Sequence, residues 1–180
     1  LVIGYLTSMG CKNVLVNDTD SVVTEELSNQ YSGIKICNKE DIYSKADVVT
    51  IHLPLSHKTR NMIRMDELKL MKKEAVLVNT SRGGIVSEDD LSSVMLGGHL
   101  GGVAIDVFET EPYKGPLISI ERCILTAHMG SMSVDCRARM EIEAVEEVVR
   151  FVSGEIINLP VPQEEYENQS LAQLGNSVGN

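Results

Sequence analysis

The chain has 180 residues and a formal net charge of −10, enough for one domain with its own core and too few for a second full one. Hydrophobic residues make up 43% and charged residues 23%, an ordinary globular balance. The acidic excess argues against nucleic acid or an anionic membrane as the partner, and no apolar run reaches the length of a membrane span.

In chain order, residues 1–9 are mostly apolar and closed by Gly10, which reads as the last turns of a helix with its terminal glycine. Residues 14–16 form a short strand ending at Asn17-Asp18, and a polar helix over 22–30 stops at Ser32-Gly33. A strand at 34–37 and a short helix at 39–44 follow. The run D-V-V-T-I-H-L at 47–53 is expected to be a buried strand closed by Pro54. After a loop over 56–61 come a helix near 65–71, a strand at 75–78 and a helix at 88–96. Ser87 is suited to cap that last helix, with Asp89 and Asp90 in its first turn. Strands at 101–105 and 123–125 precede a long helix over 133–152. Its residues Val134, Ile142, Val145, Val148, Val149 and Val152 recur mostly at three- and four-residue steps, predicting one apolar face. Residues 159–180 read as a linker and loose tail.

Strands alternating with helices imply βαβ units, right-handed crossovers and a doubly wound, mainly parallel α/β sheet. Such a sheet begins with a strand and a glycine-rich turn. The chain instead opens inside a helix, so residues 1–158 are expected to form an N-terminally truncated domain whose glycine loop would precede Leu1. Cys11, Cys37, Cys123 and Cys136 show neither C-x-x-C pairing nor zinc-finger histidine spacing. They read as free thiols in a reducing, cytoplasmic setting, with no metal site.

The segment Val78-Asn79-Thr80-Ser81-Arg82-Gly83-Gly84 carries most of the chemistry. It puts an arginine at the exit of a parallel strand, where open α/β sheets bind ligands, and a planar guanidinium suits a carboxylate. The glycines allow a sharp turn or close approach to a ligand. The other reading is a surface arginine in a tight turn. Asp18, at the end of the second strand of such a pattern, suits the adenosine ribose of NAD and repels the 2′-phosphate of NADP. It would equally well begin the turn Asn17-Asp18-Thr19-Asp20.

Five segments in order resemble the NAD-binding domain of the D-isomer-specific 2-hydroxyacid dehydrogenases, a Rossmann-like domain. They are Val16-Asn17-Asp18, His52-Leu53-Pro54-Leu55 with Thr59 and Asn61, Asn79 to Gly84, Ala104-Ile105-Asp106-Val107-Phe108-Glu109-Thr110-Glu111-Pro112, and Leu125-Thr126-Ala127-His128-Met129-Gly130-Ser131. The resemblance implies that Arg82 binds the substrate carboxylate, His128 is the acid/base and Glu111 hydrogen-bonds it and favours its protonated form. It further implies NAD contacts at Asp18, Leu53, Pro54, Thr59, Thr80, Ser81, Arg82, Asp106, His128 and Gly130. Glu109 is a rival to Glu111, and the place before Pro112 favours Glu111. The chemistry is coherent: reduction of a 2-keto acid needs a hydride from the cofactor, a proton donor near neutral pH and a cation for the carboxylate.

The expected protein is therefore an NAD-dependent oxidoreductase for a small D-2-hydroxy acid, most like phosphoglycerate dehydrogenase-like members, homodimeric when full length. Two other classes stay open: a non-enzymatic NAD-sensing, corepressor-like module or inactive fragment, and another nucleotide-fold enzyme such as a methyltransferase. His52 is expected to be packed and hydrogen-bonded, and His57 and His99 to face solvent. Ala127 stands where the family usually has proline, which leaves the loop aiming His128 looser.

Overall fold

Short apolar runs, most with β-branched residues, form every strand of the computed structural model, which describes residues 1–160. The elements are α1 (Val2–Ser8), β1 (Val14–Val16), α2 (Ser21–Gln30), β2 (Ile34–Ile36), α3 (Lys39–Lys45), β3 (Val48–Ile51), α4 (Met65–Leu70), β4 (Val76–Asn79), α5 (Glu88–Leu96), β5 (Gly102–Ile105), β6 (Cys123–Leu125) and α6 (Val134–Val152). Single 3₁₀ turns at Pro116–Ser119 and Met129–Ser131 flank β6. Side chains close several helix starts as their sequences suggest: Asp20 accepts from Val22 and Val23 N–H, Ser87 from Asp90 N–H and Ser133 from Cys136 N–H.

All strand pairs are parallel, which fits the doubly wound α/β, Rossmann-like reading. They form two sheets, β1-β2 and β3-β4-β5-β6, where the alternation pattern implied one. In a doubly wound order a central strand lies between these two groups, and none of the described residues supplies it. Ile51, Asn79 and Ile105 are in register, as are Ile105 and Leu125. The four strands of the larger sheet thus end on one line, and the loops leaving it share one edge.

Leu77 at the centre of the larger sheet is 0% exposed and sits in a core with Val49, Ile51, Val103 and Ile105. Leu68 of α4 and Leu91, Val94 and Met95 of α5 belong to the same cluster. β3 is buried on one face only: Val49 and Ile51 point inward, whereas Val48 is exposed. That corrects the continuous burial expected of 47–53. The apolar face of α6 is also exposed, from Val134 to Val152, so the amphipathic pattern is real but meets no core among the described residues. β4 ends at Asn79, one residue later than its apolar run suggested. Of the linker and tail expected at 159–180, all but the first two residues lie outside the described residues.

Leu77→Ala is expected to cost about 2–5 kcal/mol, because it leaves a cavity at the sheet centre. Urea unfolding, comparing midpoints at constant slope, measures it.

Candidate active site

The arginine turn is built by an amide. Asn79, 2% exposed, donates from Nδ2 to the Arg82 carbonyl at 3.0 Å. Its Oδ1 accepts the Ser81 N–H at 3.1 Å and the Ser81 hydroxyl at 2.8 Å. A buried amide satisfied in this way fixes the backbone that carries Arg82. Gly83 then passes so close to the Phe108 carbonyl that an added Cβ would stand 2.1 Å from its carbon and oxygen. The glycine is required by protein backbone, not by a ligand. Gly84 has φ +77°, the left-handed turn that glycine makes freely. The exposed Arg82 donates from Nη1 to the Ser81 carbonyl at 2.7 Å.

A second device joins the loops after β5 and β6. Asp106 Oδ1 accepts the Thr126 hydroxyl at 2.5 Å and the Met129 N–H at 2.9 Å, and Oδ2 lies 3.1 Å from the same N–H. The Asp106 carbonyl takes the His128 N–H at 2.8 Å. His128 is held between these bonds in the left-handed region, φ 55° and ψ 53°, where a non-glycine residue is strained. Its Nδ1 lies 3.2 Å from Glu111 Oε2, while Glu111 Oε1 accepts the Phe108 N–H at 3.0 Å. Glu109, on the same cavity wall, pairs with Arg60 rather than His128. Arg82, Glu111 and His128 line one cavity of about 330 Å³ with Leu55, Arg60, Gly83, Phe108 and Glu109.

The carboxylates are tuned by this wiring. The Phe108 N–H holds Glu111 below the usual carboxylate range, with the His128 ring adding to the effect against a smaller cost of burial. Burial pushes Asp106 up, but the Thr126 hydroxyl, the Met129 and Gly130 amides and nearby His128 outweigh it and bring it below the usual range.

The other sequence candidates lie at strand exits without all converging on that cavity. Asp18 follows β1, exposed, with Oδ1 accepting the Asp20 N–H at 2.9 Å, the turn-forming role weighed above. The Thr59 hydroxyl donates to the Pro54 carbonyl at 2.7 Å and accepts the Ser56 N–H at 2.8 Å, so it shapes the loop that carries half-buried Leu53 and exposed Pro54. Thr80 is exposed, and the space around Gly130 is open. A carboxylate just after β1 and backbone groups along the β3 to β6 edge are a set of polar groups that fits a dinucleotide. The described residues contain no glycine-rich strand-to-helix turn for its pyrophosphate.

His52 bonds Thr50 Oγ1 at 3.0 Å but is exposed rather than packed, and partial desolvation of its ring lowers its pKa. His99 is half-buried, its Nε2 bonded to the Met71 carbonyl at 2.8 Å, contrary to the solvent-facing expectation. Three supporting residues had no assigned role in the sequence: Asn79, Thr126 and Arg60. The hydrophilic end of an apolar strand, N-T-S-R, was the available signal for Asn79. Arg60 pairs across 49 positions, and nothing local announces that.

Residues 1–130 match the sequence profile of the D-isomer specific 2-hydroxyacid dehydrogenase, NAD binding domain. The chain is 38% identical over 136 residues to a glyoxylate reductase from Aeropyrum pernix, covering 74% of this chain and 39% of that protein. It is 31% identical over 151 residues to a D-3-phosphoglycerate dehydrogenase from Methanocaldococcus jannaschii, covering 81% and 29%. The crystal structure of a glyoxylate reductase from Paecilomyes thermophila superposes with a TM-score of 0.76 at 26% identity, covering 86% of this chain and 46% of that one. The chain therefore spans well under half the length of the curated relatives cited.

Gly83→Ala is expected to force the Arg82 turn away from Phe108 and to cost about 3 kcal/mol or more, read by urea unfolding. The two carboxylates give a pH test. Their folded-state pKa values lie below the unfolded ones, so their contacts stabilise fully above about pH 5 and are lost as pH falls through the lowered values. Asp106→Asn should lower the midpoint of thermal unfolding at pH 7 by roughly 3 °C, allowing for solvent screening, and flatten its decline between pH 5 and 3.

Proposed function

Because the chain belongs to the D-isomer specific 2-hydroxyacid dehydrogenases, as their NAD-binding domain, we propose that the protein carrying it is an NAD-dependent oxidoreductase. It interconverts a small D-2-hydroxy acid and its 2-keto acid, and it works as a cytoplasmic homodimer. The observation that supports this most is the shared cavity of Arg82, Glu111 and His128, with His128 Nδ1 beside Glu111.

NAD, when bound, supplies or accepts the hydride. The chain's own groups do the rest. Arg82 binds the substrate carboxylate through its guanidinium fork and stabilises charge developing on the adjacent carbonyl oxygen. Glu111 accepts the proton on Nδ1, which orients the ring and leaves Nε2 to hand a proton to that oxygen in reduction and take it back in oxidation. His128 keeps its strained backbone at the cavity only while Asp106 holds the loop. Asp18, Leu53, Pro54, Thr59, Thr80, Ser81, Asp106 and Gly130, with Arg82 and His128, would hold the cofactor along the strand exits.

The test uses the complete gene product, with NADH consumption followed on glyoxylate and hydroxypyruvate. His128→Asn is the sharper variant, because asparagine tolerates the left-handed conformation while losing the acid. It should lower kcat by about 10²- to 10⁴-fold. Arg82→Gln should lower kcat/KM about a hundredfold, the loss of a charge-assisted pair. Full turnover by His128→Asn would refute the acid/base assignment, and tight NADH binding with no turnover of any 2-keto acid would mark a sensor.

A further inference from the structure

The cavity holds a second arginine whose charge is already answered. Arg60, in the loop after β3, pairs with Glu109, in the loop after β5, and both line the cavity with Arg82, Glu111 and His128. The pair is braced on both sides. The Glu109 N–H donates to Glu88 Oε1 at 2.7 Å, and the Arg60 guanidinium lies over Gly84, where an added Cβ would come within 3.2 Å of Nη1. The charges lining the cavity can then be matched. Glu109 answers Arg60, and Glu111 faces His128. Of the two arginines lining the cavity, Arg82 has no carboxylate partner among the described residues and donates to the Ser81 carbonyl. This wall of the cavity presents one uncompensated cation, which matches one carboxylate.

We propose that Glu109 is a specificity-determining residue. By masking Arg60 it tunes the site to 2-keto acids with a single anionic group and disfavours those with a second carboxylate or a phosphate. The inference rests on the oxidoreductase reading above. A second anion reaching for Arg60 must displace Glu109, and it then meets that unpaired carboxylate and Glu111 at close quarters, a repulsive element of the kind that sets specificity. The side chains of the pair are 48% and 56% exposed, so water screens the effect and a factor of ten bounds it.

The experiment measures kcat/KM of the complete gene product with NADH for glyoxylate and for 2-oxoglutarate, and takes the dianion-to-monoanion ratio. Glu109→Gln unmasks Arg60 and should raise that ratio about three- to tenfold, the rise fading at high salt. Adding Arg60→Gln should cancel the rise. Arg60→Gln alone leaves Glu109 bare and should lower the ratio at least about threefold, which keeps the idea testable if Glu109→Gln does not fold. An unchanged ratio in these variants, a rise that survives in the double variant, or a wild type that already prefers the dianion overturns the proposal. In each of those cases wild-type turnover of glyoxylate still supports the oxidoreductase reading. Absence of turnover with either acid overturns that reading and this inference together.

Discussion

The site depends on the carboxylate of Asp106. It takes a hydroxyl from Thr126 and an amide from Met129, while its own carbonyl takes the amide of His128. Two loops that leave neighbouring strands are thereby held as one. The cost is local: His128 adopts a left-handed backbone worth on the order of 1–3 kcal/mol of strain, which three short hydrogen bonds offset. The carboxylate stays ionised to low pH because its donors favour the charged form. The same bonds that stabilise the loop therefore aim the imidazole.

Parallel pairing supplies the frame on which this works. In-register strand ends put Asn79, Asp106 and Thr126 on one edge, each only a step beyond or at the last paired residue. From there a buried amide fixes one turn, a carboxylate fixes a second, and a side-chain-free contact at Gly83 presses the first against the Phe108 backbone. The candidate site then sits on loops whose freedom the sheet has largely removed. The charge pairs on the cavity wall, Arg60 with Glu109 and His128 with Glu111, follow from that convergence.

Much of this could be read in the sequence, for physical reasons. Short apolar runs bounded by polar or turn residues located every strand, and Asp18 and Ser87 could be recognised as turn and cap residues from their neighbours alone. Contacts between distant segments could not. The double glycine signalled a close approach, but only the fold identifies Phe108 as what is approached. The apolar stripe of α6 has the periodicity of a core helix, and periodicity alone does not say what a face meets. The alternating burial of β3 was masked because Val48 makes its outward face start apolar, although Thr50 follows on that face. The choice between Glu109 and Glu111 rested on a neighbouring proline; in the structure the two side chains diverge, one to Arg60 and one to His128.

The most direct measurement is a crystal structure of the complete gene product with NADH and oxamate, a non-reducible mimic of a 2-keto acid. The account predicts the oxamate carboxylate on the Arg82 guanidinium, its amide-side carbonyl oxygen within hydrogen-bond distance of His128 Nε2, and the Asp106 bonds to Thr126 and Met129 intact. Oxamate bound away from Arg82, or facing a His128 turned from Glu111, would contradict it.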